Sequence, residues 1–190
     1  MNITELTHLI VGKFLSEGDI AVDATVGNGH DTLFLARKVG VTGRVIGFDV
    51  QEAALAAARE RLEHGEKNLL ERVTFLRLSH AKMENGLAKA GVSAEPKAIL
   101  FNLGYLPGGD KSVTTETEET LEALKTALRL LAPGGVLTAV LYAGHPEGER
   151  ESAAVLEWAK GLPEDFRVYC TTLYNRSETA PKLIAIEKFR

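Results

Sequence analysis

One cysteine, Cys170, stands in a chain of 190 residues, so no intrachain disulfide can form and the count argues against a cysteine-based zinc site. No metal is expected. Cys170 lies in the strand-like run Val168-Tyr169-Cys170-Thr171 and is expected to be a buried small hydrophobe. Long apolar runs are also missing: none approaches the roughly 20 residues that cross a bilayer. Met1-Asn2-Ile3-Thr4-Glu5 has neither the basic start nor the apolar core of a signal peptide, so a cytoplasmic location away from membranes is expected. Nor is there a cationic excess, because 22 Lys and Arg face 26 Asp and Glu, a formal net charge of −4. That excludes coating of nucleic acid through a broad basic face, but not the reading of one RNA loop through a local pocket. Repeats, low-complexity tracts and linkers are absent as well.

What is present suits one globular domain over residues 1–190, with 45% apolar and 25% charged residues and enough length to bury a core. Leu6, Leu9, Ile10, Phe14 and Leu15 have helical spacing, ended by Gly18, and His8 falls on that helix. Strands are expected at 20–23, 44–49, 73–78, 98–103 and 136–141. Between them, helices are expected at about 51–62, 83–90 and 115–131, the last carrying leucines 121, 124, 128 and 131. A helix at roughly 148–160 precedes two final strands, 166–172 and 183–187, joined by a polar loop. The alternation predicts a Rossmann-like α/β fold with helices on both faces of a seven-stranded, mostly parallel sheet; the last two strands, lacking a helix between them, pair antiparallel.

The chain is organised around Asp23-Ala24-Thr25-Val26-Gly27-Asn28-Gly29-His30-Asp31-Thr32, a strand end, a glycine turn and a helix start. Glycines there let the backbone approach a ligand, and the helix N-terminus offers unpaired N–H groups. Asp49, ending the second strand, is placed to accept hydrogen bonds from ribose hydroxyls, or else to cap the helix beginning near Gln51. Nicotinamide and S-adenosylmethionine cofactors both use such a corner. The dinucleotide fingerprint wants a third glycine where this chain has Thr32, and Asp23 before the turn would repel a pyrophosphate. An acid there suits the cationic amino group of S-adenosylmethionine. Asp31 either matches the helix dipole or adds a second contact to the amino-acid part.

After the fourth strand, Asn102-Leu103-Gly104-Tyr105 sits where a methyl-accepting atom should face the cofactor. Asn102 can offer a side-chain carbonyl and Leu103 a backbone carbonyl to an attacking amine, while Tyr105 supplies a flat face for a ring. A turn that merely needs glycine and proline does not explain Asn102, Tyr105, Asp110 and Lys111 together. His80 could flank the adenine and His145 could face substrate; each is a plausible general base and equally a plausible loop-capping histidine. Tyr174-Asn175-Arg176-Ser177 reads either as a solvated hairpin turn or as part of a substrate surface.

The glycine-turn stretch, Phe101-Asn102-Leu103-Gly104-Tyr105-Leu106-Pro107-Gly108-Gly109-Asp110-Lys111 and Tyr142-Ala143-Gly144-His145-Pro146 resemble the signatures of the YtqB/MnmM-type family along nearly the whole chain. Members were long labelled rRNA methylases, and they are similar in fold to class I S-adenosylmethionine-dependent methyltransferases. Those characterised as MnmM convert 5-aminomethyl-2-thiouridine to 5-methylaminomethyl-2-thiouridine at the tRNA wobble position. The resemblance implies that Asp23, Thr25, Gly27, Asn28, Gly29, Asp31 and Thr32 surround the methionine part of the cofactor. Asp49 and Gln51 would then meet ribose and adenine, with His80 nearby. Asn102, Leu103 and Tyr105 would face the reacting amine, with Asn102 also binding the cofactor. Tyr105, Pro107, Gly108, Asp110, Lys111, Tyr142, His145 and Arg176 would serve the anticodon arm of tRNA, and a homodimer is implied. The alternatives are a methyltransferase for rRNA or a small-molecule amine, an NAD-dependent oxidoreductase, and a Rossmann-like binding module without chemistry.

Overall fold

Near-continuous apolar runs such as Val136–Leu141, all six residues of which are buried, form strands covered on both faces by helices. The structure, a computed structural model, describes residues 1–66, 68–104, 117–177 and 179–190. The helices are α1 (Ile3–Val11), α2 (His30–Lys38), α3 (Glu52–Glu63), α4 (Met83–Lys89), α5 (Thr117–Leu130) and α6 (Pro146–Lys160). The strands are β1 (Ile20–Asp23), β2 (Arg44–Asp49), β3 (Val73–Arg77), β4 (Ala98–Leu103), β5 (Val136–Leu141), β6 (Phe166–Thr171) and β7 (Lys182–Lys188). They form one sheet in the order β3-β2-β1-β4-β5-β7-β6. The first five strands in that order run parallel, and β7 is antiparallel to both β5 and β6.

Chain order reverses between β1 and β4, which pair through Ala21↔Ala98, Val22↔Ile99 and Asp23↔Leu100. In an open α/β sheet that reversal opens a crevice beyond the carboxyl ends of the strands. Because Leu141 pairs with Lys182 and Thr171 with Leu183, the β6–β7 connection lies at this same edge. Helices α4, α5 and α6 cover one face, where Met83, Leu87, Leu124 and Val155 pack on Phe48, Phe101, Leu137 and Ile184. The other face buries Val11, Leu35, Val39 and Leu62 against Ala21, Val45 and Leu100. No helix among the described residues is long and apolar enough to cross a membrane.

Three expectations shift. The first helix stops at Val11 instead of running to Gly18, because Lys13 and Phe14 donate to carbonyls only three residues back and tighten the chain into turns. Helix α6 starts two residues early, at Pro146, whose missing N–H costs nothing in the first turn; His145 precedes it as the N-cap. Cys170 is exposed, not buried. It sits near the end of the edge strand β6, lining a groove with Leu156, Phe166, Val168 and Ile184. The expected start of α5 at residue 115 lies outside the described residues.

Candidate active site

Asp23 ends β1 fully buried, and its carboxylate is held locally. Thr32 Oγ1 donates to Oδ2 at 2.5 Å and the Thr25 N–H donates to Oδ1 at 3.2 Å. The turn that follows needs glycine at two positions: Gly27 has φ +52° and Gly29 φ +75°. Gly29 is the N-cap of α2 and brings no side-chain cap, so the helix begins with N–H groups available to a ligand. A Cβ on Gly29 would stand 2.7 Å from both Cα and Cβ of Ala58 on α3. The turn is braced from outside by Arg61, whose Nε donates to the Asn28 carbonyl at 2.6 Å.

Asp49 does not cap α3 directly; Gln51 holds that position, with no side-chain cap of its own. Asp49 instead accepts the Gly27 N–H on Oδ2 and the Gln51 N–H on Oδ1, both at 2.9 Å. It ties the glycine turn to the start of α3, and each oxygen keeps a second lone pair for a hydroxyl donor.

Across the switch point, Asn102 near the end of β4 is fixed at both backbone and side chain. Its N–H donates to Thr25 Oγ1 at 2.7 Å, and its Nδ2 donates to Asp31 Oδ2 at 2.7 Å. A carboxylate accepts only, so the amide must present its NH2 to Asp31 and its carbonyl oxygen elsewhere. The other Asp31 oxygen is 2.6 Å from Nε2 of His8 on α1. The Leu103 carbonyl accepts the Tyr142 N–H at 3.2 Å, which leaves it one lone pair.

Burial first, and then the neighbouring Asp31 carboxylate, push the Asp23 carboxyl up from 3.8 to about 7, against the pull of the Thr32 and Thr25 hydrogen bonds. Burial and the same Asp31 charge raise the Tyr142 phenol. Burial lowers His80, more than Glu119 and the Ala24 backbone raise it. The ring of His80 meets Phe101 edge-on at 5.6 Å, and its Nε2 is buried without a hydrogen-bond partner among the described residues.

The predicted residues Asp23, Thr25, Gly27, Asn28, Gly29, Asp31, Thr32, Asp49, Gln51, His80, Asn102, Leu103 and Tyr142 lie around the carboxyl ends of β1 to β5. His145 caps α6, its Nδ1 accepting the Gly148 N–H at 3.2 Å. Arg176 lies exposed in the β6–β7 connection at the same sheet edge. Tyr105, Pro107, Gly108, Asp110 and Lys111 lie outside the described residues. His8 was missed as a site residue. Its only signal is its place on α1 beside the buried positions Thr7 and Val11, at the border of the helix's apolar face.

Asp23 and Asp31 beside the uncapped start of α2 suit a ligand that brings positive charge together with a carboxylate. S-adenosylmethionine has both. The comparisons agree. The model of a family described as "Putative rRNA methylase" matches residues 45–187. A chloroplastic tRNA (mnm(5)s(2)U34)-methyltransferase of Arabidopsis thaliana is 36% identical over 192 residues, spanning 97% of this chain and 69% of that protein. A ribosomal RNA small subunit methyltransferase H of Oceanobacillus iheyensis is 31% identical over 117 residues, covering 60% of this chain; the match spans 34% of that protein. Among solved structures, a protein described as "a putative methyltransferase" from Streptococcus mutans, in complex with SAH, superposes with a TM-score of 0.84 at 36% identity, over 100% of this chain and 99% of that one. An rRNA methylase from Streptococcus thermophilus superposes with a TM-score of 0.79 at 30% identity, over 100% and 98%. The chain therefore belongs to the "Putative rRNA methylase" family and is an S-adenosylmethionine-dependent methyltransferase.

Proposed function

We propose that this methyltransferase acts on tRNA, methylating the amine of 5-aminomethyl-2-thiouridine at the wobble position of the anticodon arm to give 5-methylaminomethyl-2-thiouridine. The observation that carries this reading is the orientation of Asn102, whose NH2 is taken by Asp31 so that its carbonyl remains as an acceptor at the sheet edge. An amine nucleophile has N–H donors that such an acceptor takes up; a base carbon has none to offer it. The name of the Arabidopsis relative supports the same substrate.

S-adenosylmethionine supplies a methyl group on a sulfonium, open to in-line displacement in which the N–C bond forms as the C–S bond breaks. The rest falls to the chain. An alkylammonium has no free lone pair, so the site must favour the neutral amine and take up its N–H donors. The Asn102 carbonyl and the remaining lone pair of Leu103 serve that end, the lost proton passing to water. Asp23, Thr25, Gly27, Asn28, Gly29, Asp31 and Thr32 would hold the methionine part, Asp49 and Gln51 the ribose and adenine, with His80 beside them. Tyr105, Pro107, Gly108, Asp110, Lys111, Tyr142, His145 and Arg176 are proposed for the RNA side. An exposed wobble base is splayed out at little cost, so a few cations and stacking faces suffice despite the acidic chain.

Nucleoside mass spectrometry of tRNA from cells lacking the protein tests the assignment. Accumulation of 5-aminomethyl-2-thiouridine is expected, and its absence would remove the substrate. An rRNA substrate is the second reading, favoured by the similarity to the methyltransferase H proteins; loss of an rRNA methyl group with unchanged tRNA would select it.

Asp23 predicts a pH dependence with a definite sign. Its folded pKa of about 7 lies above the ordinary 3.8, so the folded state binds the proton more tightly than the unfolded one. The free protein should therefore lose stability as pH rises from about 4 to 7, and Asp23→Asn should remove that part of the slope in urea titrations. Cofactor binding should run the other way, strengthening as pH rises through 7, because the ionised carboxylate attracts the ammonium group. In Asp23→Asn, calorimetric titration should show weak binding with this pH response gone.

A further inference from the structure

The bonds around Asp31 reach into a helix outside the sheet-edge loops. Helix α1 is anchored on the sheet by Ile3, which packs with Val140 and Leu183. From this helix His8 turns toward α2. Its ring stacks on Phe34 with centroids 4.0 Å apart and planes 4° from parallel, which aims Nε2 at Asp31 Oδ1, 2.6 Å away. The Asp31 side chain is 8% exposed and that of His8 24%. Asp31 thus has one partner on each oxygen, His8 on Oδ1 and Asn102 on Oδ2, and cannot rotate without disturbing both.

We propose that His8 is a positioning residue for methyl transfer: by donating to Asp31 it fixes the carboxylate that orients the Asn102 amide, and so keeps the Asn102 carbonyl directed at the acceptor amine. The inference rests on the proposed role of Asn102 toward an amine. It does not depend on the charge of His8, since Nε2–H donates from the neutral ring as from the protonated one. Helix α1 is then part of the active site, although no residue of it need touch cofactor or substrate. Without the histidine, Asp31 keeps only Asn102 and is free to turn, and the amide turns with it.

The test uses three variants of the full chain. His8→Phe keeps a ring to stack on Phe34 but removes the donor. His8→Gln places an amide NH2 at the reach of Nε2, and His8→Asn carries the same amide on a shorter arm. In ¹⁵N-labelled protein the side-chain NH2 resonance of Asn102, assigned by its loss in Asn102→Ala, should shift in His8→Phe and His8→Asn and return in His8→Gln. The kcat on tRNA should fall roughly 10–100-fold in His8→Phe and His8→Asn. KM for tRNA should stay within about twofold, S-adenosylmethionine at saturating concentration offsets any loosening of the cofactor through Asp31, and His8→Gln should recover most of kcat. An unmoved Asn102 resonance overturns the proposal, as does equal loss of kcat in His8→Gln and His8→Asn, or a loss confined to KM. Should His8→Phe not fold, the Gln and Asn pair decides alone. The spectroscopic arm needs no RNA, so a shifted resonance in an enzyme inactive on tRNA would overturn the substrate and leave the positioning of the amide standing.

Discussion

Asn102→Ala is expected to lower the turnover of methyl transfer by about a hundredfold, with a much smaller change in affinity for S-adenosylmethionine. The substitution removes the carbonyl proposed to accept the amine N–H and also the NH2 that satisfies Asp31 Oδ2 at 2.7 Å. A buried acceptor left without its donor costs about 1–3 kcal/mol, so a modest loss of stability should accompany the loss of rate. Asn102→Asp separates geometry from hydrogen bonding. It is nearly isosteric but sets a second carboxyl against Asp31, and two carboxylates at that distance cannot both ionise. The proton the pair shares can replace the amide donor, so the turnover of Asn102→Asp should fall less than that of Asn102→Ala. Single-turnover rates at saturating cofactor, with calorimetric affinities alongside, check both variants. Near-normal turnover in Asn102→Ala would remove the residue from the chemistry.

Gly29→Ala is expected to cost the fold about 2–5 kcal/mol, combining the strain of a left-handed backbone with overpacking. Gly29 has φ +75°, and the added Cβ would lie 2.7 Å from both Cα and Cβ of Ala58. Those are atoms of α3 itself, with no flexible side chain to yield. Gly91→Ala is the control: its φ is +66° but nothing lies within 4 Å of the added Cβ. It should show the backbone strain alone, about 1–2 kcal/mol. Urea denaturation of the two variants reads the difference. Gly29→Ala should also weaken cofactor binding, because moving the turn displaces the first residues of α2, Asp31 and Thr32 among them. Equal stabilities for the two variants would mean that α2 and α3 are not packed through this glycine.

Much of the architecture was legible because it is written locally. Apolar strand runs alternating with helix-forming segments, and an Asp-Ala-Thr-Val-Gly-Asn-Gly turn between the first pair, dictate a parallel α/β sheet and its ligand corner from neighbouring residues alone. The lack of a third glycine and the acid before the turn pointed to the cofactor for the same reason. What could not be read in this way depends on residues far apart in the chain. The bonds that set Asn102 join it to Asp31, 71 positions away, and to Thr25, 77 away, while His8 lies 23 residues before Asp31. Cys170 is exposed on a strand paired on one side only, and strand composition cannot tell an edge strand from a central one. The early start of α6 turned on a histidine ring serving as a cap. The chain's own pattern determined the fold and the kind of cofactor. Only the tertiary structure decided which side chains hold one another in place at the site, since helix and strand periodicity constrains neighbours and leaves distant partners to packing.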